Sequence, residues 1–502
     1  MAGPLTDDTR QPSSRESQAG AGWQDCGGPG AWKADVPTDA KPNSWLRPST
    51  LWAARNDVIA KHLYDPVDRA RTAWARIARQ RAAERGYDPD FVVSMRGERA
   101  VSFLLLGDPG EGDDSQYAVV PPLLSQAAGV DFTVICSDVI YPSGEVGDYR
   151  TKFFRPYREL DCPSVAIPGN HDWYDGLHGF MSHVCGIDAA QAPLEVGPGV
   201  RGALARKLWR HASAPDAADL ADMRKGRSRT SQICDPPQPG PYWAIDAGPL
   251  RIVGIDTGVV GSIDPEQADW LRRVSFNSER PKVLVTGKPL IVNGHRLPSA
   301  IGKVVDDVVR DSRARYVMAV GGDTHNYQRY PVRLSDGRTI QYVVSGGGGA
   351  YTHATHQIGR VAVGGVTEAD FRCYPLRSDS LARFSQLYDR RLAGGHGRLV
   401  LTPAEAATYL SELLEMEPTR EAHVLLSLRA QIAARLLQPA PAKHGFHRFA
   451  SEFFDWNDPP FFKQFLRLDA DGGRLRVRCF GVSGCKHANE EAPVEDEFTV
   501  ML

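Results

Sequence analysis

The sequence predicts an α/β fold in which a sheet is covered by helices on both sides. Seven short runs rich in Val, Ile and Leu alternate along the chain with segments of helical periodicity. The runs are apolar at successive positions, which is typical of strands buried on both faces. Four of the runs lead directly into an Asp or an Asn. Because ligands in such sheets bind outside the carboxyl ends of the strands, the fold and the chemistry indicate the same edge of the sheet.

The elements follow one another in a clear order. Residues 1–44 are rich in Gly, Pro, Ser, Asp and Gln without periodicity, which predicts a disordered tail. Residues 45–98 are predicted to be a helical lead-in that packs on the main domain. Its apolar face consists of Ile59, Leu63, Val67, Ala70, Trp74 and Ile77.

The core is predicted over residues 99–375, with an insert rich in Gly, Pro and Ala over 176–240. Strands are expected at 101–107, 132–137, 164–168, 251–256, 282–286, 315–320 and 341–345. Helices are expected between them at 115–128, 149–160, 266–276 and 300–312.

Two further segments follow the core. Residues 376–445 have helical spacing and a plausible helix start at Thr402 and Pro403, so they are predicted to form a helical insertion. Residues 446–502 return to strand-like sequence with a turn at 471–473. We expect this hairpin to rejoin the main sheet.

Composition restricts the classes of function. The 502 residues carry a net charge of −2, so neither nucleic acid nor an anionic membrane is attracted by overall charge. No apolar stretch is long enough to span a bilayer, and the eight cysteines form no CxxC pair. These features predict a cytoplasmic protein with reduced cysteines and no membrane partner. A basic cluster at 224–229 either draws in an anionic substrate or is a solvated loop.

The first two polar motifs stand at predicted strand ends. In GDPG, residues 107–110, Asp108 lies in a Gly/Pro turn after the first core strand. In SDVIY, residues 137–141, Asp138 follows the next strand and Tyr141 comes three residues later. Each motif alone also describes an ordinary turn. Together they offer two carboxylates and a phenol to one centre.

The other two motifs are more specific. GNHDWYDG, residues 169–176, brings together an amide ligand in Asn170, an imidazole for acid catalysis in His171 and a carboxylate able to orient it in Asp172. GGDTHNYQRY, residues 321–330, adds Asp323 and His325 from one extended loop. Such a set at four strand ends predicts a metal site.

In this order the motifs resemble the calcineurin-like metallophosphoesterase superfamily. The resemblance covers roughly residues 99–350, with the purple-acid-phosphatase-like pattern GDxG, GDxxY, GNH(D/E), VxxH and GHxH. It implies a sandwich of two mixed β-sheets flanked by helices. It also implies hydrolysis of a phosphate mono- or diester through a dinuclear centre of divalent or trivalent metal ions, with Fe, Mn, Zn and Mg as the candidates.

The resemblance assigns a complete first metal site. Asp108, Tyr141 and His325 would hold the first ion, and Asp138 would bridge both ions. His171, oriented by Asp172, would protonate the leaving oxygen.

The second metal site departs from the pattern. Asn170 matches, but Asp323 replaces the first His of GHxH, and the strand KVLVTG ends in Gly287 where a His is usual. Asp323 as an oxygen donor would favour Mn or Mg over Zn. His295 in VNGH is a candidate replacement ligand, the alternative being a loop or substrate-contact histidine.

Three functions follow from these observations. The first is a phosphomonoesterase or phosphodiesterase. The second is a nucleotide phosphodiesterase or nuclease, the one reading in which nucleic acid enters as a substrate. The third is a phosphate-binding module whose second metal site has degraded, which the departures at Gly287 and Asp323 motivate.

Overall fold

The structure is a computed structural model. The structure describes residues 36–38, 44–86, 88–95, 100–187, 199–210, 238–298, 300–416, 424–437, 451, 459–485 and 492–502. The predicted tail lies mostly outside these residues, as does the basic cluster at 224–229.

Eleven α-helices occur in the described ranges. They are α1 (Pro48–Ala53), α2 (Asn56–His62), α3 (Val67–Glu84), α4 (Asp114–Gln126), α5 (His178–His183), α6 (Gly199–Leu208), α7 (Pro265–Phe276), α8 (Ala300–Arg310), α9 (Arg377–Leu392), α10 (Pro403–Leu414) and α11 (Leu428–Leu437).

The same ranges contain sixteen strands. They are β1 (Val92–Ser94), β2 (Val101–Leu106), β3 (Phe132–Cys136), β4 (Ser164–Ile167), β5 (Trp243–Ala247), β6 (Leu250–Ile255), β7 (Lys282–Thr286), β8 (Ile291–Val292), β9 (His295–Arg296), β10 (Tyr316–Gly321), β11 (Tyr327–Arg333), β12 (Thr339–Ser345), β13 (Arg372–Tyr374), β14 (Lys463–Ala470), β15 (Arg474–Val482) and β16 (Val494–Met501).

Two large mixed sheets form the core. One has eight strands in the order β1-β5-β6-β7-β10-β12-β11-β13, and the other has six in the order β16-β15-β14-β2-β3-β4. The sheets face each other where β12 contacts β14 and β4 contacts β6. Trp243 on β5 donates its indole N–H to the Ala166 carbonyl on β4 at 2.8 Å. The predicted sandwich of two mixed sheets flanked by helices is therefore confirmed.

All seven predicted core strands are present, as β2, β3, β4, β6, β7, β10 and β12. The helix predicted over 149–160 is wrong, because this stretch contains one π-helical turn, Arg150–Phe154, followed by turns. Phe153 and Phe154 are adjacent in sequence and both are buried. Burial of two successive residues departs from the one-sided apolar face of an amphipathic α-helix, on which the prediction depended.

The lead-in helix α3 is tied to the core by a buried charge. The guanidinium of Arg71 is fully buried and pairs with Asp256 at 2.9 Å and with Asp264 at 3.0 Å. Trp74 on the same helix donates its indole N–H to the Gly176 carbonyl at 2.9 Å. The helix therefore braces the loop that follows β6 and the loop that carries the GNHDWYDG motif.

Helices α9, α10 and α11 share a hydrophobic cluster of their own, which includes Leu381, Phe384, Leu410, Ala430 and Ala433. The C-terminal strands extend the six-stranded sheet, because β14 pairs antiparallel with β2 along the register Leu466↔Leu105. No helix in the described ranges is both long and apolar enough to cross a membrane. Of the described cysteines, Cys485 is disulfide-bonded, so the prediction of reduced cysteines is wrong for this residue. The other five described cysteines are reduced, as predicted: Cys136, Cys162, Cys185, Cys373 and Cys479.

Candidate metal centre

The strand ends of both sheets deliver the predicted side chains to one place. In the six-stranded sheet, β2, β3 and β4 run parallel, and Asp108, Asp138 and Asn170 stand just beyond their carboxyl ends. In the eight-stranded sheet, Asp323 stands two residues beyond β10. The backbone N–H of Asp323 donates to Asp108 Oδ2 at 2.9 Å, which joins the two groups.

Four of the predicted ligands meet at the Tyr141 hydroxyl. This oxygen lies 3.3 Å from Asp108 Oδ1, 3.0 Å from Asp138 Oδ2 and 3.1 Å from His325 Nε2. All four side chains are buried. The structure thus brings together the set that the sequence assigned to the first ion.

His325 is held with Nε2 toward this cluster. Its Nδ1 lies 2.7 Å from the Tyr351 carbonyl, so Nδ1 is the donor and Nε2 the acceptor. The ring stacks on His353 with centroids 4.3 Å apart and an interplanar angle of 4°. A hydrogen bond from the second ring nitrogen, such as the one from Nδ1 to the Tyr351 carbonyl, fixes the ring orientation of a metal-binding histidine.

Close approach of the backbone makes the cluster compact. A Cβ atom at Gly169 would lie 2.1 Å from Asp138 Oδ1, so this position requires glycine. Asp108, Ser137 and Asp323 adopt positive φ angles of 54°, 109° and 62°. Such angles are unfavourable for non-glycine residues and concentrate at functional sites.

The electrostatics of the cluster favour a bound cation. Burial, followed by the charges of Asp138 and Asp323, raises the pKa of Asp108 well above its usual range. Burial also raises the pKa of Asp138. The Tyr141 hydroxyl carries one proton and faces three acceptor atoms, so it can satisfy only one of them at a time. A cation would satisfy all three, and carboxylate, phenol and imidazole donors fit a divalent or trivalent transition metal.

His, Cys, Asp and Glu side chains alone do not complete this site. Among the described residues, no group of three or more of them is placed to hold a metal ion. His325 Nε2 lies 4.0 Å from Asp108 Oδ1, and the Tyr141 hydroxyl is the atom that contacts Asp108, Asp138 and His325 together. The tyrosine is therefore the centre of the set.

The two predicted catalytic residues have different surroundings. The backbone N–H of His171 donates to Asp138 Oδ1 at 2.8 Å, which places His171 beside the cluster. Its ring Nδ1 lies 2.7 Å from the Pro142 carbonyl. Asp172 instead accepts backbone N–H groups, from Val139 at 2.9 Å and from Gly169 at 3.0 Å. The orienting contact expected from Asp172 is thus made by Pro142, and Asp172 joins the two loops.

The residues assigned to the second ion are less well gathered. Asn170 donates its side-chain N–H to the Tyr174 hydroxyl at 2.8 Å, so Oδ1 is the atom that a cation would take. Asp323 forms an ion pair with Lys288. His295 is exposed in the β8–β9 hairpin, where it pairs with Val292. No contact of the described residues joins His295 to the cluster.

Two neighbours of the site were missed by the sequence reasoning. Lys288 directly follows Gly287, the strand end where the family pattern has a histidine, and that position was the available signal. Trp45 comes from the lead-in, and its ring lies 5.5 Å from the His171 ring and 6.2 Å from the Tyr351 ring. No sequence spacing connects Trp45 with the motifs, because the contact depends on tertiary packing.

Comparisons with known proteins give one match to a family model and several matches to solved structures. Residues 101–213 match the family model of the calcineurin-like phosphoesterases. No curated protein matches the chain in sequence.

Three solved structures are among those that match the chain. A purple acid phosphatase from yellow lupin seeds shares 10% identity at a TM-score of 0.39, covering 81% of this chain and 54% of that one. The chain therefore spans about half the length of the lupin enzyme. The structure of PhoD shares 10% identity at a TM-score of 0.37, covering 81% of this chain and 70% of that one. GAP50, the anchor in the inner membrane complex of Plasmodium, shares 13% identity at 0.36, covering 55% and 81%.

Residues 101–213 contain four of the predicted metal ligands and the predicted general acid His171. The four ligands are Asp108, Asp138, Tyr141 and Asn170. The match confirms the resemblance drawn from the motifs. Over residues 101–213 the chain is therefore similar to the calcineurin-like phosphoesterases.

Proposed function

We propose that the protein is a metal-dependent phosphoesterase that hydrolyses a phosphate mono- or diester at the cluster around Tyr141. The observation that carries this proposal is the convergence of Asp108, Asp138 and His325 on one hydroxyl oxygen, within 3.3 Å. When bound there, a metal ion would neutralise charge on the phosphate and make a water molecule more acidic. The sequence assigns a second ion to Asn170 and Asp323, and the support for that ion is weaker because Asp323 already has a cationic partner.

The protein's own residues supply the remaining chemistry. The Pro142 carbonyl holds Nδ1 of His171, which leaves Nε2 for transfer of a proton to the leaving oxygen. General acid assistance of this kind is worth about 10² to 10⁴ in rate. Lys288 offers a positive charge on the side of Asp323 for a non-bridging phosphate oxygen.

The test is an assay of generic aryl phosphate mono- and diesters with Mn, Fe, Zn and Mg, together with Asp138→Ala. Because Asp138 is buried at the centre of the cluster, we expect the variant to lose hydrolysis and metal binding together. The matched control is Asp336→Ala, in an exposed turn where Asp336 pairs with Arg338 at 2.7 Å. That control should keep wild-type activity.

Two outcomes would contradict the proposal. Full turnover by Asp138→Ala would show that the reaction does not use this cluster. Wild-type protein that binds metal and phosphate but cleaves none of the esters would favour the phosphate-binding module instead.

A further inference from the structure

A lysine, Lys288, lies where the second metal ion was expected. Its position beside Asp323 follows from the pairing of two parallel strands. Thr286 at the end of β7 pairs with Gly321 at the end of β10, and the two strands are parallel. Lys288 and Asp323 each stand two residues beyond this pair, so their backbones lie side by side. The Lys288 ammonium forms an ion pair with Asp323 Oδ1, and the two side chains are only 16% and 19% exposed.

The segment that carries Lys288 is fixed on both sides. The backbone N–H of Lys288 donates to Thr257 Oγ1 at 3.0 Å, and the Thr286 hydroxyl donates to the Lys288 carbonyl at 2.5 Å. A lysine on a mobile loop would have no defined position. Here the backbone is held by hydrogen bonds from two neighbouring strands of one sheet.

The same segment is tightly packed at the position of the usual histidine. A Cβ atom at Gly287 would lie 2.7 Å from Thr257 Oγ1 and 3.1 Å from the Pro168 carbonyl. The shorter distance requires a shift of the Thr257 side chain, and its hydroxyl is the group that accepts the hydrogen bond from the Lys288 N–H. A side chain at 287 would therefore disturb the contact that holds Lys288 in place.

The charge of Lys288 lies on the carboxylate that was expected to bind the second ion. The ammonium pairs with Asp323, and the backbone N–H of Asp323 donates to Asp108 Oδ2 at 2.9 Å. A second metal ion at Asp323 would experience repulsion from this fixed positive charge.

We propose that the Lys288 ammonium takes the place of the second metal ion, so that the centre consists of one ion at the Tyr141 cluster and one fixed positive charge. This inference rests on the proposed function, because it assumes that the first ion binds. It replaces the dinuclear centre expected from the sequence with a mononuclear one that is completed by a lysine. Asp323 then positions the lysine.

The experiment counts metal ions directly. Purified protein is dialysed to equilibrium against Mn²⁺, and bound metal per chain is measured by elemental analysis. We expect one ion in the wild type and two in Lys288→Met, because this substitution removes the positive charge that pairs with Asp323 and repels a second ion. Lys288→Arg keeps the positive charge and should stay at one ion. Lys61→Met is the matched control, since Lys61 is an exposed lysine paired with Asp57 at 2.7 Å, and it should also stay at one.

The outcomes separate this inference from the proposed function. Two ions in an active wild type would overturn the inference and leave the proposed function in place, and this result holds even if Lys288→Met fails to fold. One ion in a folded Lys288→Met at saturating Mn²⁺ would also overturn it. No ion in the wild type, with no hydrolysis, would overturn both proposals.

Discussion

Asp172 provides the sharpest test of how the site is held together. The family resemblance made it the partner that orients His171, whereas the structure directs its carboxylate to the backbone N–H groups of Val139 and Gly169. These two donors belong to the loops that carry Asp138 and Asn170. The residue is fully buried, so water cannot replace a lost acceptor. We therefore expect Asp172 to act on stability and loop geometry.

The magnitude follows from the two hydrogen bonds. Asp172→Ala leaves two buried N–H groups without an acceptor, at about 1–3 kcal/mol each, so the free energy of unfolding should fall by about 2–6 kcal/mol. Asp172→Asn keeps an acceptor oxygen in the same place. Burial, followed by the charge of Asp138, raises the pKa of Asp172 well above its usual range, so a neutral side chain is well tolerated there. The Asn variant should lose less than about 2 kcal/mol.

Two measurements check this prediction. Urea unfolding gives the loss of stability in both variants. The pH–rate profile of ester hydrolysis gives the behaviour of His171, whose protonation as a general acid sets the basic limb. In Asp172→Asn that limb should stay where it is in the wild type, because the Pro142 carbonyl still holds Nδ1. An Asn variant with wild-type stability and a displaced basic limb would refute the reasoning and restore Asp172 as the orienting partner.

Three further predictions concern other parts of the molecule. If the bound metal is ferric iron, a visible charge-transfer band should be present in the wild type and absent in Tyr141→Phe, as measured by absorption spectroscopy; a band that persists would remove Tyr141 from the ligand set. Arg71→Met leaves Asp256 and Asp264 as buried, unpaired charges and should cost about 3–5 kcal/mol in urea unfolding; an unchanged midpoint would contradict this. Burial lowers the pKa of Lys282 from 10.5 to about 8, so the native state binds fewer protons than the unfolded state between these values and this group makes stability rise with pH there. Lys282→Met should reduce that rise between about pH 7 and about pH 10, and an equal rise in both proteins would argue against it.

The core strands could be predicted because strands that are buried on both faces have mostly apolar sequences. β3 and β7 are buried at every position, and their sequences are short apolar runs. β11 was missed because Tyr327–Arg333 contains Gln, Arg and Pro, although Gln328 is buried and hydrogen-bonded to Asn293 at 3.1 Å. Polar residues in a strand become compatible with burial only when their partners are known. Those partners lie on other elements, and the sequence does not indicate which.

The candidate site was also predictable only in part. Asp108, Asp138 and Asn170 were predictable as neighbours because each follows a strand, and parallel strands end at the same edge. The partner of His171 was not predictable, since the Pro142 carbonyl is a backbone group without a sequence signature. Lys288 was overlooked for a related reason. Its proximity to Asp323 depends on the register of β7 against β10, which only the assembled sheet defines.

The two departures from the family pattern, Gly287 and Asp323, are linked to each other through Lys288. A glycine in place of a histidine at 287 removes a ligand, and an aspartate at 323 adds a negative charge. Taken separately, each change would weaken or unbalance a second metal site. Taken with Lys288, the added negative charge has a partner, and the small residue at 287 gives the lysine segment the space it occupies against Thr257 and Pro168. Asp323→His alone would leave the ammonium without its carboxylate partner, and Gly287→His alone would displace the Thr257 side chain and keep the Lys288–Asp323 ion pair, so neither single substitution should create a second metal site.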